Sequence, residues 1–341
     1  LRYLENGERI ENPPLIESSN VVATVDMADV SGHEETKFAL EISAAGGHNL
    51  LMIGAPGSGK TMLAERFATI LPPLDESEAI EVAGIHSIAG TLNQRTSLSA
   101  LPPFLAPHHA TTIPALIGGG STHIRPGACS LAHRGVLFID EAPECANGIL
   151  DALRQPLESG KITITRSAHT ATFPARFILL LAANPCPCGK FAGRGRGCEC
   201  SSLQIRRYLA KISGPLLDRI DLRLKVESPT RSELSAGSTQ SSSEMRERVV
   251  SARAISAERF SNYAFKLNSE IPPNLLREKF RPQREALALL HTLLDSESIT
   301  ARGFHRAMRV AWSIADLRGL VVPGKEEIEV ALNLRVGIKG E

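Results

Sequence analysis

The chain has 341 residues, 43% of them hydrophobic and 22% charged, with 38 Lys and Arg against 37 Asp and Glu. That length allows two domains with a sizeable core, and a net charge of +1 excludes nucleic-acid binding by overall basicity, leaving only a local patch. No apolar run approaches the roughly 18 residues of a membrane helix, no secretory signal is visible, and six cysteines are too few for a disulfide scaffold at this size; the expected location is cytoplasmic, with no membrane partner.

Residues 1–25 open on Leu1 and carry Pro13-Pro14, and they read as a linker remnant of a longer chain. Asp29 to Ala45 has helical apolar spacing (Phe38, Leu40, Ile42, Ala45) and stops at Gly46-Gly47. Asn49–Ile53 reads as a buried strand, and residues 62–70 as an amphipathic helix. Between them lies Gly54-Ala-Pro-Gly-Ser-Gly-Lys60-Thr61, the phosphate-binding pattern G-x-x-x-x-G-K-[ST]. Its glycines let successive N–H groups face one point, and the helix start adds positive potential there. Gly57, Ser58, Gly59, Lys60, Thr61 and Met62 are the expected nucleotide contacts, with Lys60 on the β- and γ-phosphates and Thr61 on Mg²⁺.

Residues 102–128 are Gly/Pro-rich and read as an insertion loop; the side chains of His108 and His109, adjacent in sequence, rarely converge on a metal and are assigned a loop role. Gly135 to Glu141 is a buried strand, Val136–Asp140, that delivers two acids to its C-terminal end, where open α/β sheets bind ligands. Asp140 is the expected Mg²⁺ ligand and Glu141 the general base for an attacking water. No Asn-Lys-x-Asp run occurs, so the nucleotide is ATP rather than GTP. Alternation on both sides of Arg166-Ser-Ala-His169 reads as a β-hairpin. A third strand, Phe177–Ala182, runs into Asn184, a candidate for orienting water.

Four of the six cysteines, Cys186, Cys188, Cys198 and Cys200, fall within fifteen residues as two C-x-C pairs. Structural Zn²⁺, free thiols and redox disulfides are the alternatives; the flexible basic stretch between the pairs favours a zinc knuckle. Lys190, Arg194, Arg196, Arg206 and Arg207 make a local basic region, and Cys129 and Cys145 read as buried small hydrophobes. Arg219 precedes an alternating, half-exposed strand, Ile220–Val226, and is placed to project from the rim. Residues 228–243 read as a mobile linker. Helices over 244–260, 283–294, 300–318 and 326–334 then make a smaller all-α domain, with Arg302 at the start of one of them.

The P-loop, Phe138-Ile-Asp-Glu141, Leu153 to Ile164, Asn184-Pro-Cys-Pro-Cys-Gly189 and Ser213-Gly-Pro-Leu-Leu-Asp-Arg-Ile-Asp221 together resemble the YifB/ComM family over residues 26–335. These are AAA+ ATPases related to magnesium-chelatase motor subunits. The resemblance implies an α/β P-loop NTPase core over 26–227, a parallel sheet with flanking helices and β-hairpin insertions, with a possible zinc insertion at 186–200. A linker over 228–243 and a small α-helical lid over 244–341 follow. It makes Asn184 a sensor 1, Arg219 an arginine finger acting on the next subunit of a homo-oligomeric ring, taken as a hexamer, and Arg302 a sensor 2. Two departures stand out: nothing here matches the Lon-protease-like domain that usually precedes this core, and His33 takes the place of the usual Gln before the first strand.

The hairpin occupies the place of the pre-sensor-1 hairpin of related helicases, which lines a ring's pore. Lys161, Arg166 and His169 are then the candidate DNA contacts, touching phosphates without base specificity, and residues 102–128 a second pore loop. The favoured function is a ring ATPase translocating on single-stranded or branched DNA, as a helicase or branch-migration motor in natural transformation or recombination. The alternative is a chelatase-like motor acting on a protein partner. A third reading is an ATP-dependent scaffold or switch.

Overall fold

Nine strands lie among the described residues: β1 (Leu50–Ile53), β2 (Phe104–Leu105), β3 (Gly118–Gly119), β4 (Arg125–Pro126), β5 (Val136–Ile139), β6 (Lys161–Arg166), β7 (His169–Pro174), β8 (Ile178–Ala183) and β9 (Leu222–Lys225). The computed structural model describes residues 25–92, 99–120, 124–166, 169–191, 197–236 and 240–336. Five strands form one sheet in the order β2-β5-β8-β1-β9, every neighbouring pair parallel. Such a sheet is buried on both faces, so its central strands are apolar throughout.

Successive residues of a strand face opposite ways, and the two faces feed two cores. Leu50, Met52, Val136, Phe138, Leu180 and Ala182 point into one. Leu51, Ile53, Leu137, Ile139, Leu179 and Leu181 point into the other, which also takes Ile162, Ile164 and Phe173 of the β6–β7 hairpin. β9 is an outer strand, with Leu222 and Leu224 buried and Lys225 exposed, as its alternation predicts. The opposite edge is β2, which lies inside the stretch read as an insertion loop. At two residues it is too short to show a period.

The first core does not end with the sheet. Met245 and Val249 of the helix Ser242–Arg259, Phe304 and Met308 of Ala301–Leu317, and Ile328 of Lys325–Val336 join the same apolar cluster as Leu40 and Phe67. The C-terminal helices are therefore packed on the core. The stretch 228–243, read as a mobile linker, holds among its described residues the helix Arg231–Ala236 and the first two residues of Ser242–Arg259. The polar composition concealed two helix starts. Thr230 Oγ1 accepts from Glu233 N–H (3.3 Å) while Glu233 Oε2 accepts from Thr230 N–H (2.6 Å), and Ser241 and Glu244 repeat the arrangement.

A buried polar network ties β9 to the C-terminal helices. His48 Nδ1 lies 3.3 Å from Asp221 Oδ2, and its Nε2 lies 2.7 Å from Ser313 Oγ. Arg306 pairs with the other oxygen of Asp221. Burial pushes the Asp221 carboxyl up, but the Arg306 charge and the His48 hydrogen bond outweigh it and hold it below the usual carboxylate range. Asn268 Nδ2 donates to Ser313 Oγ and to Asp316, which in turn pairs with Arg259. Among the described residues no helix is long and apolar enough to cross a membrane.

Candidate functional site

β1 delivers the chain to its C-terminal edge at Gly54, whose N–H donates to Ala183 O at 3.1 Å. A Cβ at Gly54 would stand 2.2 Å from Val226 O, so only glycine fits between the strand ends. The loop then turns into the helix Lys60–Ile70, whose N-cap is Gly59 at φ 87° with no capping side chain. The first N–H groups of that helix therefore remain available to an anion. His33 stands against this turn, its Nε2 3.3 Å from where a Gly59 Cβ would be. Burial lowers the His33 pKa below its ordinary value.

Lys60 Nζ donates to Gly54 O (2.6 Å) and Ala55 O (2.9 Å) and reaches Asn184 Oδ1 at 3.4 Å. Burial pushes the Lys60 pKa down, and the carboxylates of Asp140 and Glu141 oppose that. Thr61 Oγ1 donates to Asp140 Oδ2 at 2.6 Å. Three strand ends thus bring Lys60, Thr61, Asp140 and Asn184 to one place. Ser58 Oγ is buried there without a hydrogen-bond partner, and a Cβ at Gly57 would meet nothing within 4 Å. An orphan hydroxyl, an uncapped helix start and a cation inside a curled loop fit a polyphosphate. A hydroxyl beside a carboxylate fits a hard cation such as Mg²⁺. Met62 follows on the same helix, half-buried against the first core.

Glu141 follows Asp140 at φ 48°, a left-handed conformation, and its N–H is held by Asp140 Oδ1 at 2.8 Å. Its carboxylate faces His109, Nδ1 to Oε2 3.5 Å. The rings of His108 and His109 meet at a tilt of 35°, their centroids 4.0 Å apart. This contact was hidden in the sequence, because a loop residue 32 positions upstream carries no period to place it.

The two arginines lie elsewhere. Arg219 O accepts from Asn49 Nδ2 at 2.9 Å, just ahead of β1, so Arg219 sits at the N-terminal edge of the sheet. Its guanidinium pairs with Glu158 and donates to Pro215 O at 2.6 Å, while its Nε is buried without a partner. Burial, then the charges of Arg154, Arg302 and Arg306, lower its pKa. Arg302 pairs with Asp218 at 2.5 Å. Arg302, read as a sensor 2, does not reach the P-loop of its own chain. It stands with Arg219 at the edge opposite the P-loop, because the helix Ala301–Leu317 is fixed to β9 by Arg306 and Asp221. Four residues of strand, about 13 Å, separate the two edges.

The hairpin pairs Lys161 with Pro174 at its base and Arg166 with His169 at its tip. Lys161 is therefore about 17 Å from the other two along the strands; the side chains of Arg166 and His169 lie outside the described residues. Its exposed face is threonine, with Thr163 and Thr172 hydroxyls 3.0 Å apart. Of the basic region, Arg194 and Arg196 lie outside the described residues, Lys190 is exposed, and Arg206 and Arg207 are exposed on the helix Ser202–Leu209. The four clustered thiols of Cys186, Cys188, Cys198 and Cys200 all lie within 4.8 Å of one another. Cys129 and Cys145 are buried, and burial pushes the Cys129 thiol up to about 12.

Residues 26–234 match the family described as magnesium chelatase, subunit ChlI, and residues 239–335 match its C-terminal part. An uncharacterised protein of Mycobacterium tuberculosis is 48% identical over 313 residues, covering 92% of this chain and 62% of its own length. The competence protein ComM of Haemophilus influenzae is 42% identical over 299 residues, 87% of this chain and 57% of ComM. The uncharacterised protein YifB of Escherichia coli is 38% identical over 335 residues, 98% of this chain and 65% of YifB. The chain spans about three fifths of the length of these relatives.

Proposed function

The chain belongs to the magnesium chelatase ChlI family, a family of the AAA+ type, and from that membership we propose that it hydrolyses ATP at sites shared between adjacent copies and spends the cycle on moving DNA. The observation that carries the shared site is the separation of its parts. The residues that fit phosphate stand at one edge of the sheet, and Arg219 and Arg302 stand together at the other.

In this scheme the P-loop amides and Lys60 hold the β- and γ-phosphates, and Asn184 orients the attacking water. Glu141 takes that water's proton, a general-base contribution of about 10²–10⁴ in rate. Thr61 and Asp140 would hold Mg²⁺, which when bound neutralises charge on the phosphate oxygens. Arg219 and Arg302 stabilise the charge that develops on a neighbouring copy's γ-phosphoryl group, worth about 10³–10⁵. Closure into a ring, taken as a hexamer, completes every site.

The DNA load is supported by the hairpin, which carries Lys161, Arg166 and His169 on one β-ribbon, and by a relative named for competence. Helicase or branch-migration work in transformation or recombination is the specific form proposed. The test is ATP hydrolysis by the chain with and without forked and four-way-junction DNA. Stimulation by DNA and strand displacement are expected; hydrolysis indifferent to DNA sinks this load. A second reading, a motor acting on a protein partner, is favoured by the family's magnesium chelatase description. It is met if a protein, and not DNA, raises turnover.

A further inference from the structure

The cysteine cluster takes no part in the scheme above. Cys186 to Cys188 is 3.4 Å, Cys186 to Cys198 is 3.7 Å and Cys188 to Cys198 is 3.6 Å, sulfur to sulfur. Cys200 completes a group whose four sulfurs all lie within 4.8 Å. Three nearly equal sides make a triangle, one face of a tetrahedron. Two disulfides would need two close pairs and no relation between them. Tetrahedral Zn²⁺ with Zn–S bonds near 2.3 Å sets sulfurs about 3.8 Å apart, close to the spacing here. An iron–sulfur cluster would push the sulfurs further apart.

The backbone is arranged for the same end. Gly189 at φ 73° turns the chain back after the first pair, and its N–H bonds Cys186 O at 3.0 Å. The turn lets Phe191 N–H donate to Cys186 Sγ at 3.4 Å, which offsets charge on a thiolate. Cys186 is fully buried, whereas Cys188, Cys198 and Cys200 reach solvent to differing degrees, so a metal has an entry path. The first pair also begins two residues after Asn184. A Cβ on Gly189 would stand 2.6 Å from Pro56 Cγ, so this turn lies directly on the phosphate loop.

We propose that Cys186, Cys188, Cys198 and Cys200 bind one Zn²⁺ as a structural clasp that fixes the turn after β8 against the P-loop. Four thiolates close the coordination shell, leaving no open position for catalysis. The site owes nothing to the identity of the load, and it stands whether or not the ATPase scheme holds.

The test begins with the whole chain, purified under reducing conditions from zinc-replete cells. Total-metal analysis should give about one zinc per chain, released by a mercurial thiol reagent. Titrating the metal-stripped, reduced chain with Co²⁺ should give thiolate-to-cobalt charge transfer and tetrahedral ligand-field bands that saturate at one equivalent. The double variant Cys198→Ser/Cys200→Ser should hold at least tenfold less zinc. Under half an equivalent of zinc together with no charge-transfer band overturns the proposal, and the Co²⁺ titration needs no variant to fold. Full zinc in the double variant, or disulfides in place of four titratable thiols in freshly prepared protein, overturns it equally.

Discussion

Lys60 in the P-loop and Glu141 after β5 stand at the same edge of the sheet, yet their replacement should give opposite phenotypes. Removing the Lys60 ammonium takes away the cation that the P-loop encloses, so Lys60→Ala should lose binding of a fluorescent ATP analogue. The Glu141 carboxylate makes no hydrogen bond to the P-loop among the described residues and is turned towards His109. Glu141→Gln should therefore keep analogue affinity within a few-fold while hydrolysis falls about 10²–10⁴-fold. Normal turnover by Glu141→Gln would remove it from the chemistry and reopen the reading of the chain as a switch. Most of this site was legible at the residue scale, because G-x-x-x-x-G-K-T and the two acids after an apolar strand are local patterns with a fixed geometry. His109 was not legible, since what places it against Glu141 is tertiary packing.

At the scale of elements, two polar links hold packed pieces in register and can be tested by stability. His133 is buried, accepts Arg176 N–H at Nδ1 (3.0 Å) and faces Glu81 across 3.0 Å from Nε2. Burial lowers its pKa despite Glu81. A folded-state value below the unfolded one means the unfolded chain binds the extra proton first. This group's stabilisation is thus complete above about pH 6.5 and is lost as pH falls below it, by at most about 1.4 kcal/mol per pH unit. Denaturant unfolding near pH 7.5 and 5.5 should show a smaller drop for His133→Gln than for the native chain; equal drops refute the assignment. In the second link, Asp221 is buried between Arg306 and His48. Asp221→Ala strands a buried cation and should cost about 3–5 kcal/mol, read as a shift in the urea midpoint. The strands around these links were readable from apolar runs to within a residue or two. The edge strand β2 and the helix Arg231–Ala236 were not, the one for being two residues long and the other for hiding a Thr-x-x-Glu start in a polar stretch.

For the whole molecule, the arginine face governs what can be predicted. Arg219→Ala protein should bind ATP normally and hydrolyse it poorly, and so should Arg302→Ala. Lys60→Ala protein keeps the arginines but lacks a working P-loop. Mixing it with Arg219→Ala protein should restore part of the activity that each lacks alone, since some contacts then unite an intact loop with intact arginines. Unchanged turnover by Arg219→Ala alone would show that the contact across copies is not used. The order of motifs along the chain singled out Arg219 as the candidate for this role. It could not reveal that Arg302 shares the edge with Arg219, which depends on the C-terminal helices packing onto the sheet through Asp221.

Phosphate-fitting groups at one edge of the sheet and arginines at the other would also give the proposed contact between copies a direction. A head-to-tail contact of this kind closes on itself or continues. In an open run of n copies only n − 1 sites have both halves, and the terminal copy always carries a P-loop without arginines. Turnover per chain should then climb with protein concentration before any ring forms, and level off at closure, when no copy is terminal. Under the proposed scheme poisoning should be one-sided: a copy without Arg219 is expected to silence the neighbour it would serve and to leave its own nucleotide site intact.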